Sequence, residues 1–392
     1  MSLNETPNAN RFHIGIFGKR NTGKSSLINA ITNQNVALVS EIAGTTTDPV
    51  KKSMEIHGIG PCLFIDTAGF DDEGDLGQLR NQKTLAASEN IDAAIILIND
   101  ENFEKELEFI NSLEKVPIII VINKCDIIKD IDKLEKKIFD KTNLTAIKVS
   151  AKNKENIKQI IDELIKVKPF TEKSIVSDLV SSKDLVLLVM PQDIQAPQGR
   201  LILPQVQTIR DLLDNKCICV CTTTDNFLTT LDYLKEPPKL IITDSQEFKY
   251  VYENKPSDSL LSSFSVLFAK YKGDIEEFVR GAQKIDSLNE NSRILIAEAC
   301  THVPLDEDIG RVKIPRMLKK KFGQNLSIDI VNGCNFPDNL SQYDLIIHCG
   351  SCMFNRKFLL SRIIKARQKN VPITNYGVLI AKLNGILDKI YF

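Results

Sequence analysis

Short β-branched and apolar runs alternate with amphipathic stretches along the whole chain, the pattern of parallel strands whose crossovers are helices packed on the sheet faces. In the first part, the runs 12–17, 62–65, 93–98, 118–122 and 146–149 predict strands. Residues 25–31 predict a helix directly after the first strand, and 156–167 a helix that closes the unit. The stretch 168–183, with Pro169 and scattered serines and charges, reads as a linker, after which strand-like 185–190 opens something new. A small middle unit follows, with strands at 185–189, 217–222 and 240–243 and helices such as 203–213. A third unit begins near Phe264, with strands at 293–297, 326–331, 345–347 and around Ile373, and a helix at 356–368. At 392 residues the chain suits two or three domains, each able to bury its own core.

Candidate chemistry sharpens this outline. Gly18-Lys19-Arg20-Asn21-Thr22-Gly23-Lys24-Ser25, with Ser26 beside it, lies between the first strand and the first helix and fits the P-loop pattern. Its glycines let backbone N–H groups turn inward around phosphate, Lys24 brings a cation to the β- and γ-phosphates, and Ser25 offers a hydroxyl to Mg²⁺. Asp66-Thr67-Ala68-Gly69 follows another strand, putting a carboxylate near the Mg²⁺ shell and the Gly69 N–H near the γ-phosphate. Asn123-Lys124-Cys125-Asp126 follows a third; the Asp126 carboxylate can accept two hydrogen bonds from the guanine edge, which adenine cannot donate. Ser150-Ala151-Lys152, after a fourth, fits a backbone contact to the guanine carbonyl. Four motifs, each at the carboxyl end of a strand, specify a guanine-nucleotide site of a doubly wound sheet.

With these motifs in place, the first 160 or so residues resemble the translation-factor-related GTPases that include the tRNA-modification and ribosome-assembly enzymes. Gly44-Thr45-Thr46-Thr47-Asp48 resembles their switch I signature, which has Arg where this chain has Thr47. The resemblance makes Thr46 the hydroxyl that reaches Mg²⁺ in the GTP state. Where Ras-like GTPases keep a water-orienting glutamine stands Phe70, so intrinsic hydrolysis is expected to be slow. In related GTPases with that replacement, an asparagine at the place of Asn21 helps hold a K⁺ that substitutes for an arginine finger; the alternative role for Asn21 is to stabilise the loop turn. The expected fold is therefore α/β: an N-terminal P-loop GTPase domain (11–169) after a flexible 1–10, then two smaller α/β domains with mainly parallel sheets, 184–263 and 264–392, beyond the linker 170–183.

Charge narrows the partners. With 50 basic and 51 acidic residues the formal net charge is −1, which gives no general pull toward nucleic acid or anionic lipid. The stretch 1–11 is polar, without the apolar core of a signal peptide, and no apolar run approaches the roughly 18–20 residues a membrane span needs, so a cytoplasmic location is expected. Nine cysteines in a reducing compartment point to metal or redox chemistry where they cluster.

They do cluster. Cys300-Thr301-His302 follows one predicted strand and His348-Cys349-Gly350-Ser351-Cys352 another; if the strands are parallel neighbours, both groups leave the same sheet edge. Two of the four histidines fall inside the pattern. Three cysteines with two histidines fit either an iron–sulfur cluster or a tetrahedral Zn²⁺. Cys334 follows a neighbouring strand. Cys62, Cys125 and the series Cys217, Cys219, Cys221 read as structural; the last three alternate along a strand and are not expected all to face one metal.

An N-terminal GTPase followed by C-x-H…H-C-x-x-C, together with Gly199-Arg200-Leu201-Ile202-Leu203-Pro204-Gln205 in the middle unit, resembles the GTPase maturation factors of [FeFe]-hydrogenase over essentially the whole chain. The resemblance implies a middle dimerisation domain and a C-terminal domain whose Cys300, Cys349 and Cys352 hold a [4Fe-4S] cluster with an exchangeable fourth position. His302 or His348 would supply or border that position, or a carboxylate such as Glu298 would. It further implies a homodimer that accepts a transient di-iron precursor built by two radical S-adenosylmethionine enzymes and passes it to apo-[FeFe]-hydrogenase; the balanced charge and the lack of a membrane-length apolar run add the expectation of no nucleic acid or membrane partner. The competing expectation is an RNA- or ribosome-associated GTPase with a structural zinc, against which stand the balanced charge and the lack of an RNA-binding module.

Overall fold

A computed structural model describes residues 8–32, 50–67, 90–113, 116–168, 174–191, 201–299, 308–333, 335–351 and 354–392. The chain divides into two compact units, Met1–Thr171 and Glu172–Phe392.

The first unit is a six-stranded sheet in the order β2-β3-β1-β4-β5-β6. Its strands are β1 (Phe12–Gly18), β2 (Val50–Ile56), β3 (Gly60–Asp66), β4 (Ala93–Ile98), β5 (Ile118–Asn123) and β6 (Ala146–Val149). All pair in parallel except β2, which runs antiparallel to β3. Every residue of β4 is buried because apolar layers cover both sheet faces. Helices α1 (Lys24–Thr32) and α4 (Ile157–Val167) pack on one face. Helices α2 (Glu104–Ser112) and α3 (Ile131–Thr142) pack on the other. Removing a core side chain such as Ile95 down to alanine would cost about 2–5 kcal/mol.

The second unit holds two four-stranded parallel sheets. One has the order β10-β9-β7-β8, with β7 (Leu185–Val189), β8 (Ile218–Thr222), β9 (Leu240–Thr243) and β10 (Leu260–Ser263). The other has the order β12-β11-β13-β14, with β11 (Arg293–Glu298), β12 (Ser327–Asn332), β13 (Leu345–His348) and β14 (Ile373–Asn375). Both faces of each sheet carry helices: α5 (Leu203–Asp214), α6 (Phe227–Tyr233), α7 (Phe248–Asn254) and α8 (Phe264–Lys272), then α9 (Ile275–Gln283), α10 (Ile314–Phe322), α11 (Arg356–Gln368) and α12 (Tyr376–Leu383). One apolar cluster joins the sheets, with Leu187, Ile241 and Phe248 from the first and Leu295, Ile346 and Leu359 from the second. Gly281 lets α9 approach β14: a Cβ there would stand 2.0 Å from the Ile373 carbonyl oxygen.

Part of the expected linker belongs to this unit. Ile175, Val176 and Val180 are buried against β7, α5 and α8, and Asp211 of α5 accepts from Ser174 Oγ and the backbone N–H groups of Ile175 and Val176. Its serines and charges suggest a solvated connector, but its apolar residues carry the packing. The remainder, 169–173, and the family-like Gly199 and Arg200 lie outside the described residues.

Candidate guanine-nucleotide and thiolate sites

The nucleotide motifs gather at the carboxyl ends of β1, β3, β5 and β6. Gly18 and Gly23 take positive φ (147° and 92°), which side-chain-bearing residues rarely adopt, and a Cβ on Gly23 would stand 2.4 Å from Asn123 Nδ2. Lys24 Nζ donates to the carbonyls of Gly18 (3.0 Å) and Lys19 (2.9 Å), curling over its own loop where phosphate oxygens would receive it. Ser25 Oγ donates to Asp66 Oδ2 at 2.6 Å, so the hydroxyl and the carboxylate expected to share Mg²⁺ already touch. Burial pushes the Asp66 carboxyl up, against the pull of Ser25 and of Lys24 and Lys52, as suits a carboxylate that a cation would neutralise. Thr22 is buried and its hydroxyl donates to the Lys19 carbonyl at 2.8 Å, while Ser26 is exposed.

Asn123 joins three motifs. Its Nδ2 donates to the Thr22 carbonyl (2.7 Å) and its Oδ1 accepts from the Ala151 N–H (3.1 Å), tying the P-loop to the Ser150-Ala151-Lys152 loop. The Ala151 N–H is thus engaged by Asn123 in this structure. Lys124 has a φ of 62°, and the Cys125 N–H donates to Val149, so the turn that carries exposed Asp126 is held against β6. Asn21 is exposed with a φ of 61°, a conformation Asn tolerates better than most residues, which supports a turn-forming role for it. Thr46, Thr47, Gly69 and Phe70 lie outside the described residues.

At the second sheet, the register Ala297↔His348 sets the ends of β11 and β13 side by side. There the Cys349 sulfur accepts the backbone N–H of Ala299 at 3.0 Å, one residue before Cys300. Ala299 and Cys349 therefore meet at one sheet edge. Cys300, His302, Cys334 and Cys352 lie outside the described residues, and among the described residues no three His, Cys, Asp or Glu side chains form a metal-binding group.

His348 ends β13, beside the Cys349 loop. It is fully buried; Arg362 Nη1 stands 2.9 Å from its Nε2, and its Nδ1 stands 2.7 Å from the Cys349 carbonyl oxygen. A guanidinium can only donate, so Nε2 accepts and Nδ1 carries the proton. With its lone pair directed at Arg362, His348 holds the loop that carries Cys349. Glu298 is paired with Arg311 (3.0 Å), and burial pushes its carboxyl up, with the Cys349 charge adding to the shift. Above Gly310, Glu298 and Tyr376 converge: a Cβ on that glycine would lie 2.4 Å from the carboxylate and 2.2 Å from the hydroxyl.

Sequence patterns gave no warning of the supporting side chains. Buried Lys272 donates to the carbonyls of Ser351 (3.2 Å) and Phe354 (2.9 Å), fixing the backbone on both sides of Cys352, and Ser351 holds a φ of 48°. Arg362 also donates to the Gly333 carbonyl and stacks on Phe358 and Phe336, at 4.3 and 4.9 Å from the ring centroids. Both were hidden because a basic residue in an amphipathic helix normally reads as surface. Arg362→Met should leave one buried and one half-buried acceptor unmet, a loss of about 2–5 kcal/mol in urea unfolding of the full chain. Arg362→Lys should recover only part, since an ammonium does not reproduce the planar fork. A loss near zero would show that these bonds do not hold the loop.

Cys219 and Cys221 come together, and the three cysteines of this series do not all face one point. Residues two apart on a strand share a face, and the two sulfurs lie 4.0 Å apart. Only Cys217 turns away, its thiol donating to the Ser181 carbonyl.

Comparison with known proteins agrees with this layout. Residues 13–124 match the family described as 50S ribosome-binding GTPase, 175–273 the hydrogen maturase F dimerization domain, and 276–391 the hydrogen maturase F tetramerization domain. The tRNA modification GTPase MnmE of Endomicrobium trichonymphae is 32% identical over 184 residues, 44% of this chain and 39% of that protein. GTPase Der of Campylobacter hominis is 36% identical over 179 residues, 42% of this chain and 39% of that protein. The chain thus spans about two-fifths of the length of these relatives. Among solved structures, a single-residue variant of Aquifex aeolicus Era bound to GDP·AlF4⁻ aligns at 19% identity and a TM-score of 0.36, covering 54% of this chain and 92% of that one. The two hydrogen maturase F matches together take up more than half of the chain, behind a GTPase domain, and the chain belongs to the hydrogen maturase F family.

Proposed function

We propose that the protein is a cytoplasmic GTP-hydrolysing scaffold that holds a [4Fe-4S] cluster through Cys300, Cys349 and Cys352 and carries a di-iron precursor to apo-[FeFe]-hydrogenase. The precursor would come from two radical S-adenosylmethionine enzymes. The observation that supports the cluster reading is the 3.0 Å bond from the Ala299 N–H to the Cys349 sulfur, because Ala299 immediately precedes Cys300 in the chain. The surroundings fit such a group: an N–H donor to sulfur favours thiolate, and the buried Asn375 Nδ2, one strand over from Cys349, has no hydrogen-bond partner among the described residues. Three thiolates would leave one iron open to an exchangeable ligand, the property a carrier needs. Anaerobic purification should yield a brown protein containing iron and sulfide. Loaded with a synthetic di-iron precursor, it should activate apo-hydrogenase, and a colourless zinc protein without activating power would overturn the reading.

In the first unit, Lys24 and the Gly69 N–H would stabilise charge on the phosphates, with Mg²⁺ held by Ser25, Thr46 and Asp66. Asn21 would help place K⁺ where Phe70 offers no polar group to hydrolysis. Turnover of GTP to GDP and phosphate should then be slow, and at least about tenfold faster in potassium than in sodium at equal ionic strength. Asn21→Ala should erase the difference; equal rates in the two salts would leave Asn21 with its turn-forming role alone.

The protein acts as a homodimer through the outer edge of β8. The other end of that sheet is covered, since the Tyr391 N–H donates to Leu261 of β10 and Ser262 Oγ donates to the Tyr391 carbonyl. Around β8, by contrast, Ile218, Leu213 and Leu228 are 55%, 56% and 45% exposed, in the segment that matches a dimerization domain. No helix among the described residues is long and apolar enough to cross a membrane. The RNA-associated alternative loses ground to the two hydrogen maturase F matches, which an RNA-directed GTPase would not need.

A further inference from the structure

β8 carries a pair of thiols that the nucleotide and cluster sites do not use. In the register of β7 and β8, Cys219 lies opposite Val186 and Cys221 opposite Leu188, so both sulfurs stand on one face of the end strand, 4.0 Å apart. Cys219 is half-buried and Cys221 exposed. The hydrogen bond between them draws the Cys221 sulfur down to about 7, toward thiolate near neutrality.

Two chemistries suit a close thiol pair, and geometry separates them. A disulfide needs Cα atoms no more than about 6.8 Å apart, and residues two apart on a strand already stand about 6.6 Å apart, so closure would work at the limit of reach while β8 stays paired with β7. A tetrahedral ion with metal–sulfur bonds of about 2.3 Å holds neighbouring sulfurs about 3.8 Å apart, close to the spacing seen. The pair is thus shaped as one edge of a thiolate tetrahedron. Within one chain it is incomplete, because no third His, Cys, Asp or Glu joins it among the described residues.

Symmetry supplies the rest. If two copies pair their β8 edges antiparallel about a two-fold axis, that axis runs perpendicular to the sheet, and every residue keeps its face. Cys219 and Cys221 of both copies then lie on one surface of a continuous sheet. A register centred on Val220 sets each Cys219 across from the partner's Cys221, with Cβ atoms about 4.5–5.5 Å apart.

We propose that Cys219 and Cys221 form half of a four-thiolate site for a zinc-class ion, completed by the same two cysteines of a second copy across the β8 edge. The inference rests on the dimer reading given above. Its test is an anaerobic titration of the full-length protein with Co²⁺ as the probe, followed by optical spectroscopy, with molecular mass measured in parallel by light scattering. The difference between the parent and Cys219→Ser/Cys221→Ser isolates this site from any Co²⁺ taken by the cluster cysteines. The expected difference is about 0.5 Co²⁺ per chain with the intense sulfur-to-cobalt bands of four thiolates. The double variant should remain dimeric, and Cys217→Ser, whose sulfur faces the Ser181 carbonyl, should keep the full signal. A dimer with no difference between parent and double variant would overturn the metal site alone. A difference of one Co²⁺ per chain with a two-thiolate spectrum would overturn its sharing between copies. A monomer at micromolar concentration would overturn the dimer reading itself.

Discussion

Replacing Asp126 by Asn should weaken GTP binding about 10²- to 10⁴-fold. The carboxylate of this exposed residue would accept two hydrogen bonds from guanine, and each charge-assisted bond is worth about 1.5–3 kcal/mol. Xanthine presents a carbonyl where guanine has its exocyclic amine, and the amide of the variant can donate to it, so xanthosine triphosphate should bind better to Asp126→Asn than to the parent. Folding should be unaffected, since Asp126 projects from a turn that Cys125 and Val149 hold by backbone bonding. Titration with a fluorescent analogue of each nucleotide checks both halves. Undiminished GTP affinity in the variant would remove Asp126 from the base site. The parallel substitution Lys24→Ala would separate phosphate binding from base reading, because Lys24 meets the loop that wraps phosphate and not the base turn.

What the residue pattern revealed and what it concealed follow one physical rule. Strands buried on both faces, such as β4 with Ala93–Ile98 or β9 with Leu240–Thr243, announce themselves as unbroken apolar runs, and their structural bounds match the sequence reading. β2 escaped that reading because its Val-Lys-Lys-Ser-Met-Glu-Ile alternates between solvent and core at the sheet edge, and the alternation is diluted by charge. β10 escaped for a different reason: Leu260-Leu261-Ser262-Ser263 lacks β-branched residues and is made a strand by its partner β9 and by Tyr391, distant in sequence. The P-loop was legible because its chemistry depends on local spacing. The thiolate loop was legible only in its cysteines; its support comes from Lys272 and Arg362, whose burial no local pattern discloses. His348 stands between the two cases, since composition marks it as a candidate ligand and its buried hydrogen bonds also give it a part in holding the loop.

That distinction between strut and ligand separates the outcomes of the last substitutions. Cys349→Ala should lose most of the cluster iron and all maturation activity while hydrolysing GTP at the parental rate, because the nucleotide motifs belong to a different compact unit. Two remaining thiolates cannot hold four irons with one position already open, and Cys300→Ala and Cys352→Ala should behave alike. His348→Ala should act on the fold. It leaves Arg362 Nη1 without an acceptor at that position and opens a cavity beside the Cys349 loop, so stability should fall by about 2–4 kcal/mol. His302→Ala carries the test of the exchangeable position: it should keep a cluster and shift its magnetic resonance if His302 supplies or borders the fourth site. Imidazole or cyanide added to the parent should move the same signal, since an outside ligand can enter only where no cysteine closes the site. Full iron content in all three cysteine variants would show that the cluster lies elsewhere. A His348→Ala protein as stable as the parent, with an altered resonance, would return that histidine to the iron and overturn the role its hydrogen bonds give it.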